Sequence, residues 1–170
     1  MLAFAPQSRA SAIGFAVALV GLLLDQGHKA WMLYGIRVAE TGPVELTSFL
    51  DLVMVWNRGI SYGLFQTETG FGRWLLAGFT VIACVVLAIW LWRTARLFPA
   101  LSIALVLSGA LGNGIDRLVY GAVADFFHFH FGSFSWYVFN LADVWIVAGV
   151  AGLLYDSLVH RPNDAAKSGH

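Results

Sequence analysis

The sequence predicts an all-α membrane protein: a four-transmembrane-helix bundle with a small extracytoplasmic β or interfacial element between helices 1 and 2. Three observations carry that prediction. Of 170 residues, 59% are hydrophobic and 12% charged, with a mean hydropathy of +0.73, against roughly 45–50% and 25% in soluble domains. Four apolar runs of about 20 residues recur along the chain, each long enough to cross a hydrocarbon core of roughly 30 Å. Between the first two lies a stretch with prolines, glycines and balanced charge that is too polar to span. Residues 1–170 read as a single integral membrane domain.

The first span is placed at about 10–30. Arg9 precedes an apolar run, as in a cleavable signal peptide, but Asp25 and Lys29 follow at i,i+4 and carry the helix onward. Gly14, Ala18 and Gly21 share a stripe with Asp25, which suits close helix packing. The insert, about 31–72, contains Ser48–Trp56, apolar and β-prone, and then Asn57-Arg58-Gly59 as a turn signal. It is expected to form a small sheet or interfacial element resting on the bilayer.

The second span, about 73–92, is apolar throughout, with Trp74, Trp90 and Trp92 as interface anchors. Arg93 and Arg96 make the next connection basic. The third span, about 98–119, sets Gly109, Gly112, Asn113 and Asp116 on one stripe. Residues 120–136 form a glycine- and aromatic-rich connection that cannot span. The fourth span is placed at about 137–159, followed by a polar tail, 160–170. Lys and Arg divide evenly, five to each side, but two of them sit in the shortest loop, which places the termini in the cytoplasm.

That arrangement gathers Asp25, Lys29, Asn57, Asn113, Asp116, Arg117, Asp125, Asn140 and Asp143 at or beyond one face, the outer one. A carboxylate in a transmembrane segment costs about 2.5–3.5 kcal/mol on insertion scales and marks a functional site by default. Asn140 and Asp143 are i,i+3 at the start of the fourth span, with Asp143 about two turns inside it, roughly 9 Å along. With Asp125 opposite, the pair would hold one proton between them, the state that activates water for peptide hydrolysis. Asn113 and Asn140 would orient water or substrate backbone, and Asp116 with Arg117 would brace the ends of helices three and four. Taken alone, Asp25–Lys29 and Asp116–Arg117 read rather as structural ion pairs.

Other function classes fit less well. Zero formal net charge gives nucleic acid no electrostatic footing. Cys84, the single cysteine, lies in an apolar run with no base nearby and reads as packed or lipid-facing. A proton-coupled transporter needs ionisable groups along a route across the bilayer, and none falls between Arg73 and Arg93. A metallohydrolase is signalled only by His128-Phe-His130, with no third ligand at a fixed spacing. A non-catalytic scaffold leaves the polar cluster without a purpose. No metal and no cofactor are expected.

Five motifs in order then carry a resemblance. They are Asp25-Gln-Gly-His28-Lys29, Asn57-Arg-Gly59-Ile-Ser-Tyr-Gly63, Ser108-Gly109-Ala-Leu-Gly112-Asn113-Gly-Ile-Asp116-Arg117, Val123-Ala-Asp125-Phe126 and Phe139-Asn140-Leu-Ala142-Asp143. Over nearly its whole length the chain resembles the lipoprotein signal peptidases (signal peptidase II), bacterial membrane aspartic proteases. The resemblance implies that Asp125 and Asp143 are catalytic. It makes Asp25, Lys29, Asn57, Gly59, Gly109, Asn113, Asp116, Arg117, Asn140 and Ala142 substrate-binding or supporting residues. It further implies a diacylglyceryl-prolipoprotein substrate, cut on the amino side of the lipidated cysteine. The setting implied is the bacterial inner membrane, with the site near the extracytoplasmic face and the enzyme a monomer among membrane lipid. His28, Ser61-Tyr62 and Ser108 depart from the family pattern, and none of them is one of the two aspartates.

Overall fold

The computed structural model describes residues 7–59 and 70–160. Helix α1, Arg9–Ala30, begins on a reciprocal cap: Ser8 Oγ accepts from Ser11 N at 3.0 Å, and Ser11 Oγ accepts from Ser8 N at 3.1 Å. Two orphan donors are thereby satisfied. The helix does not stop at residue 30. It continues as a wider π-helical stretch, Trp31–Ile36, and Arg37, in the left-handed region at φ 57°, turns the chain. The polar insert thus begins six residues later than the sequence suggests, because WMLYGI stays apolar enough to prolong the helix. A single turn, α2 (Val38–Thr41), leads into strands β1 (Val44–Thr47) and β2 (Leu50–Asn57).

Helices α3 (Gly70–Arg93) and α4 (Leu97–Val119) follow, then strands β3 (Val123–Phe131) and β4 (Phe134–Phe139), and last α5 (Leu141–Val159). Among the described residues, four helical stretches are long and apolar enough to cross a membrane: Arg9–Ile36, Trp74–Arg93, Leu97–Val119 and Leu141–Val159. Helix α4 is the hub, packing on α1, α3 and α5, whereas α3 and α5 scarcely touch each other. The α4–α5 contact is close because Gly109 lies on the Ala142 carbonyl, where an added Cβ would collide with backbone. Around the hub, Ala18, Leu91, Ala100, Ile103, Ala104 and Leu107 form the interhelical core.

The sheet is larger than the sequence reading. Among the described residues its four strands run β1-β2-β3-β4, every pair antiparallel, so the connection 120–136 and the first residues assigned to the fourth span supply half of it. Fewer than 20 residues cannot span twice, but Val123–Phe131 and Phe134–Phe139 are long enough for a hairpin closed by Gly132 at φ 58°. The fourth span correspondingly starts at Leu141 instead of 137. Val38, Leu52, Ala124 and Phe126 form a second core beneath the sheet, joined by Met32 of the helix extension. This pins β3 to the end of α1.

Candidate active site

Strand β3 enters this second core with its first four residues, 123–126, all buried, and places Asp125 2% exposed beside the helices. Asp125 lies opposite Val55 in the β2–β3 register. Asn57, where β2 ends, reaches it: Nδ2 donates to Asp125 Oδ2 at 3.1 Å. The Asn57 side-chain oxygen accepts from Gly59 N at 3.1 Å, so one amide closes the turn and contacts the carboxylate. The Gly59 carbonyl accepts in turn from Arg117 at 3.5 Å.

Asp143 arrives differently from the sequence expectation. Asn140 is not inside a span with Asp143 two turns deep; it is the N-cap of α5, and Asp143 is the third residue of the helix. Asn140 Oδ1 accepts from Asp143 N and Asp143 Oδ2 accepts from Asn140 N, both at 3.1 Å. The i,i+3 spacing is therefore a capping box. It holds the carboxylate at the mouth of the helix, where the unpaired N–H groups of the first turn gather.

Asn140 also faces Asp125. Fully buried, its Nδ2 donates to Asp125 Oδ1 at 2.6 Å and to Asn113 Oδ1 at 3.1 Å. Asn113 Nδ2 donates to Asp143 Oδ1 at 2.9 Å. Both carboxylates are thus held by amides, and Asn140 touches the two of them. Burial, and then the charge of Asp143, push the Asp125 carboxyl up to about 7, although hydrogen bonds from Asn57 and Asn140 and the charge of Lys29 pull the other way. Burial of a carboxylate and a like-charged neighbour are the two causes that lift such a group.

Asp125, Asp143, Asn57, Gly59, Asn113 and Arg117 line one cavity of about 350 Å³ between α3, α4 and α5. The remaining sequence-predicted residues lie behind it. Lys29 is 2% exposed, its Nζ 3.0 Å from Asp25 and 2.8 Å from Asp116. Asp116 therefore pairs with Lys29, not with Arg117, since α4 turns Asp116 toward α1 while Arg117 reaches for Gly59. The other work of Asp116 is to accept from Ala124 N at 3.1 Å, next to Asp125. Gly109 and Ala142 belong to the α4–α5 contact.

Sequence reasoning missed the α3 wall of the cavity, Leu76, Phe79, Thr80 and Ala83. Nothing in a uniformly apolar helix marks one face as different, and the hydroxyl of Thr80 is spent on the Leu76 carbonyl at 2.9 Å. Gln26 was also passed over, although its Nε2 bonds Asp25, Asp116 and the Gly112 carbonyl. The His128 and His130 rings stack on each other and face Asp51, at 3.4 and 3.2 Å. Among the described residues no three His, Cys, Asp or Glu are placed to hold a metal ion. Of the departures, His28 stacks on Phe127 and Ser108 Oγ donates to the Leu105 carbonyl; Ser61-Tyr62 lie outside the described residues.

Residues 17–159 match the family model described as Signal peptidase (SPase) II. A "Lipoprotein signal peptidase" of Methylorubrum extorquens is 50% identical over 155 residues, covering 91% of this chain and 90% of its own. One from Rhodopseudomonas palustris is 48% identical, covering 88% and 94%. A solved structure described as a bacterial membrane enzyme superposes with a TM-score of 0.77 at 23% identity, covering 94% of this chain and 93% of its own.

Proposed function

Since this chain belongs to the signal peptidase II family, we propose that it removes the signal peptide from diacylglyceryl-modified prolipoproteins, with Asp125 and Asp143 activating the water. One observation carries the mechanism: Asn140 holds both carboxylates while Asp125 is pushed up to about 7. Such a pair titrates as a unit and keeps one proton near neutral pH. With that proton resting on Asp125, the Asp143 carboxylate takes a proton from water. The hydroxide forms its bond to the scissile carbonyl carbon, and Asp125 passes its proton to the carbonyl oxygen. As the tetrahedral diol collapses, a diol hydroxyl returns a proton to Asp125. The proton on Asp143 goes to the departing nitrogen as the C–N bond breaks. Asn57 and Asn113 keep both carboxylates in position.

The lipid is the natural handle. A two-chain anchor gives stable membrane attachment and fixes the depth of the bond next to it, converting encounter into alignment. A diacylglyceryl-modified precursor and its unlipidated twin, offered at equal concentration, should differ in kcat/KM by about 10² or more, the scale on which misplacement costs rate. Equal rates would remove the lipid from the substrate definition.

The proposed setting is the bacterial inner membrane, with the sheet and cavity on the extracytoplasmic side and the termini cytoplasmic; the basic Arg93–Arg96 connection supports it. With Cys84 replaced by Ser, a cysteine at Glu45 should react with a membrane-impermeant thiol reagent in intact cells. A cysteine at Ala95 should react only after permeabilisation. The reverse pattern would invert the topology.

A further inference from the structure

Lys29 is a buried cation that the cleavage steps do not use. Its side chain is 3% exposed, and its three N–H donors have three partners: Asp25 Oδ2 at 3.0 Å, Asp116 Oδ2 at 2.8 Å and Asn113 Oδ1 at 3.2 Å. Two of these explain a buried charge. The third leads to the reaction centre. An ammonium group donates and never accepts, so the Asn113 amide must face it oxygen first. Asn140 Nδ2, also a donor, fills the other lone pair of that oxygen at 3.1 Å. The Asn113 NH2 is then left to point one way, at Asp143 Oδ1, 2.9 Å away.

We propose that Lys29 is a positioning residue for cleavage: acting through Asn113, it fixes the direction of the hydrogen-bond chain that serves Asp143 and Asp125. The inference rests on the aspartate pair proposed above. Turned over, the Asn113 amide would set NH2 against Lys29 and Asn140, and would put its oxygen against the Asp143 carboxylate. Both contacts are repulsive. Asp25 and Asp116 hold the ammonium at that point; a Cβ on Gly112 would collide with Asp25, so α4 is kept bare there. The layer behind the cavity is therefore part of the reaction geometry, not only a staple between α1 and α4.

The test separates positioning from folding. Lys29→Met/Asp25→Asn removes the cation and one of its two carboxylates together, so the net charge of the layer is unchanged although Asp116 loses its cation. On a diacylglyceryl-modified prolipoprotein its kcat should fall about a hundredfold, with KM within about twofold. The groups that act on Asp125 are Asp143 of α5, Asn140 at its cap, Asn57 of β2 and Lys29 of α1, with the Arg117 guanidinium of α4 on the same cavity. Without the Lys29 charge the Asp125 proton is held to higher pH, so the alkaline limb of the rate profile should move upward. Adding Asn113→Ala should cost no further kcat, since the relay is already broken.

Should this variant not fold, Lys29→Gln/Asp25→Asn keeps a hydrogen-bonding side chain in place. Its amide can also accept, so Asn113 loses its one-way partner and the same kcat loss is expected. A folded variant with wild-type kcat and an unmoved profile overturns the proposal, as does a lowered melting temperature alone. Additive losses with Asn113→Ala overturn it too. Asp125→Asn, run alongside, keeps the two ideas apart. If that variant cleaves normally, the aspartate mechanism fails. If it is inert while the Lys29 variants are normal, only the positioning role fails.

Discussion

Asp125→Asn and Asp143→Asn should each lower cleavage of a lipidated precursor by about 10³-fold or more, in proteins that still insert and melt as cooperatively as wild type. The amide keeps the size of the side chain and much of its hydrogen bonding. It cannot take a proton from water, and it cannot alternate between accepting and donating as the diol collapses. Because the pair works as one unit, the double variant should be scarcely worse than either single one. Stability should respond in the opposite direction to activity. The native Asp125 carboxyl sits at about 7, above its ordinary 3.8, so the folded state binds that proton more tightly than the unfolded chain. The cost of burying the charge is absent below about pH 4, grows as pH rises, and is complete above about 7. Asp125→Asn should therefore melt above wild type near about pH 8, with the gap closing toward about pH 4. Substantial turnover by either single variant in a folded protein would end the aspartate mechanism.

Asp116→Asn should be costly in a different currency. Asp116 pairs with Lys29 at 2.8 Å at 1% side-chain exposure and also accepts from Ala124 N. Breaking a buried ion pair by removing one partner costs about 3–5 kcal/mol. Asp25 still holds Lys29, so the low end applies, and at about 2–4 °C per kcal/mol the melting temperature should drop by roughly 6–12 °C. Activity should fall with it, since the side chain that loses its ion pair is the one that accepts from Ala124 N, one residue before Asp125. Thermal melts in detergent beside cleavage rates decide this; an unchanged melting temperature would mean that the ion layer does not brace α1 against α4.

The four spans were legible because hydrocarbon thickness dictates their length and burial leaves few charges in them. Asp125 and Asp143 were legible because an acid in such surroundings needs a reason. Partners were harder to read. Asp116 and Arg117 are neighbours in sequence, which made a pair of them, but successive helical side chains point about 100° apart and each found a partner elsewhere. Asn140 and Asp143 showed the right spacing and the wrong structure: i,i+3 serves a helix face and a capping box equally well, and only the start point of α5 separates them. The second hairpin was hidden by its aromatics, since FHFHF and FSWYVF read as interface anchors as readily as alternating strands. The α3 wall left no trace, because a surface that lines a cavity with carbon resembles one that meets lipid.

That wall has a wider meaning. Helices α3 and α5 both lean on α4 and scarcely touch one another, yet Leu76, Phe79 and Ala83 of one and Ile146 and Val147 of the other line the same cavity as the aspartates. The gap between them is walled by apolar side chains of two helices that read as membrane spans. A peptide tethered in the bilayer needs no excursion into water to enter it. On the function proposed above, it would arrive by sliding in the plane of the membrane, in two dimensions, along the same apolar medium its anchor already occupies. Encounter frequency then depends on how many anchored molecules share each unit of membrane area and how fluid that membrane is, not on concentration in bulk water. Stiffening the lipid should slow capture while leaving the chemical step untouched.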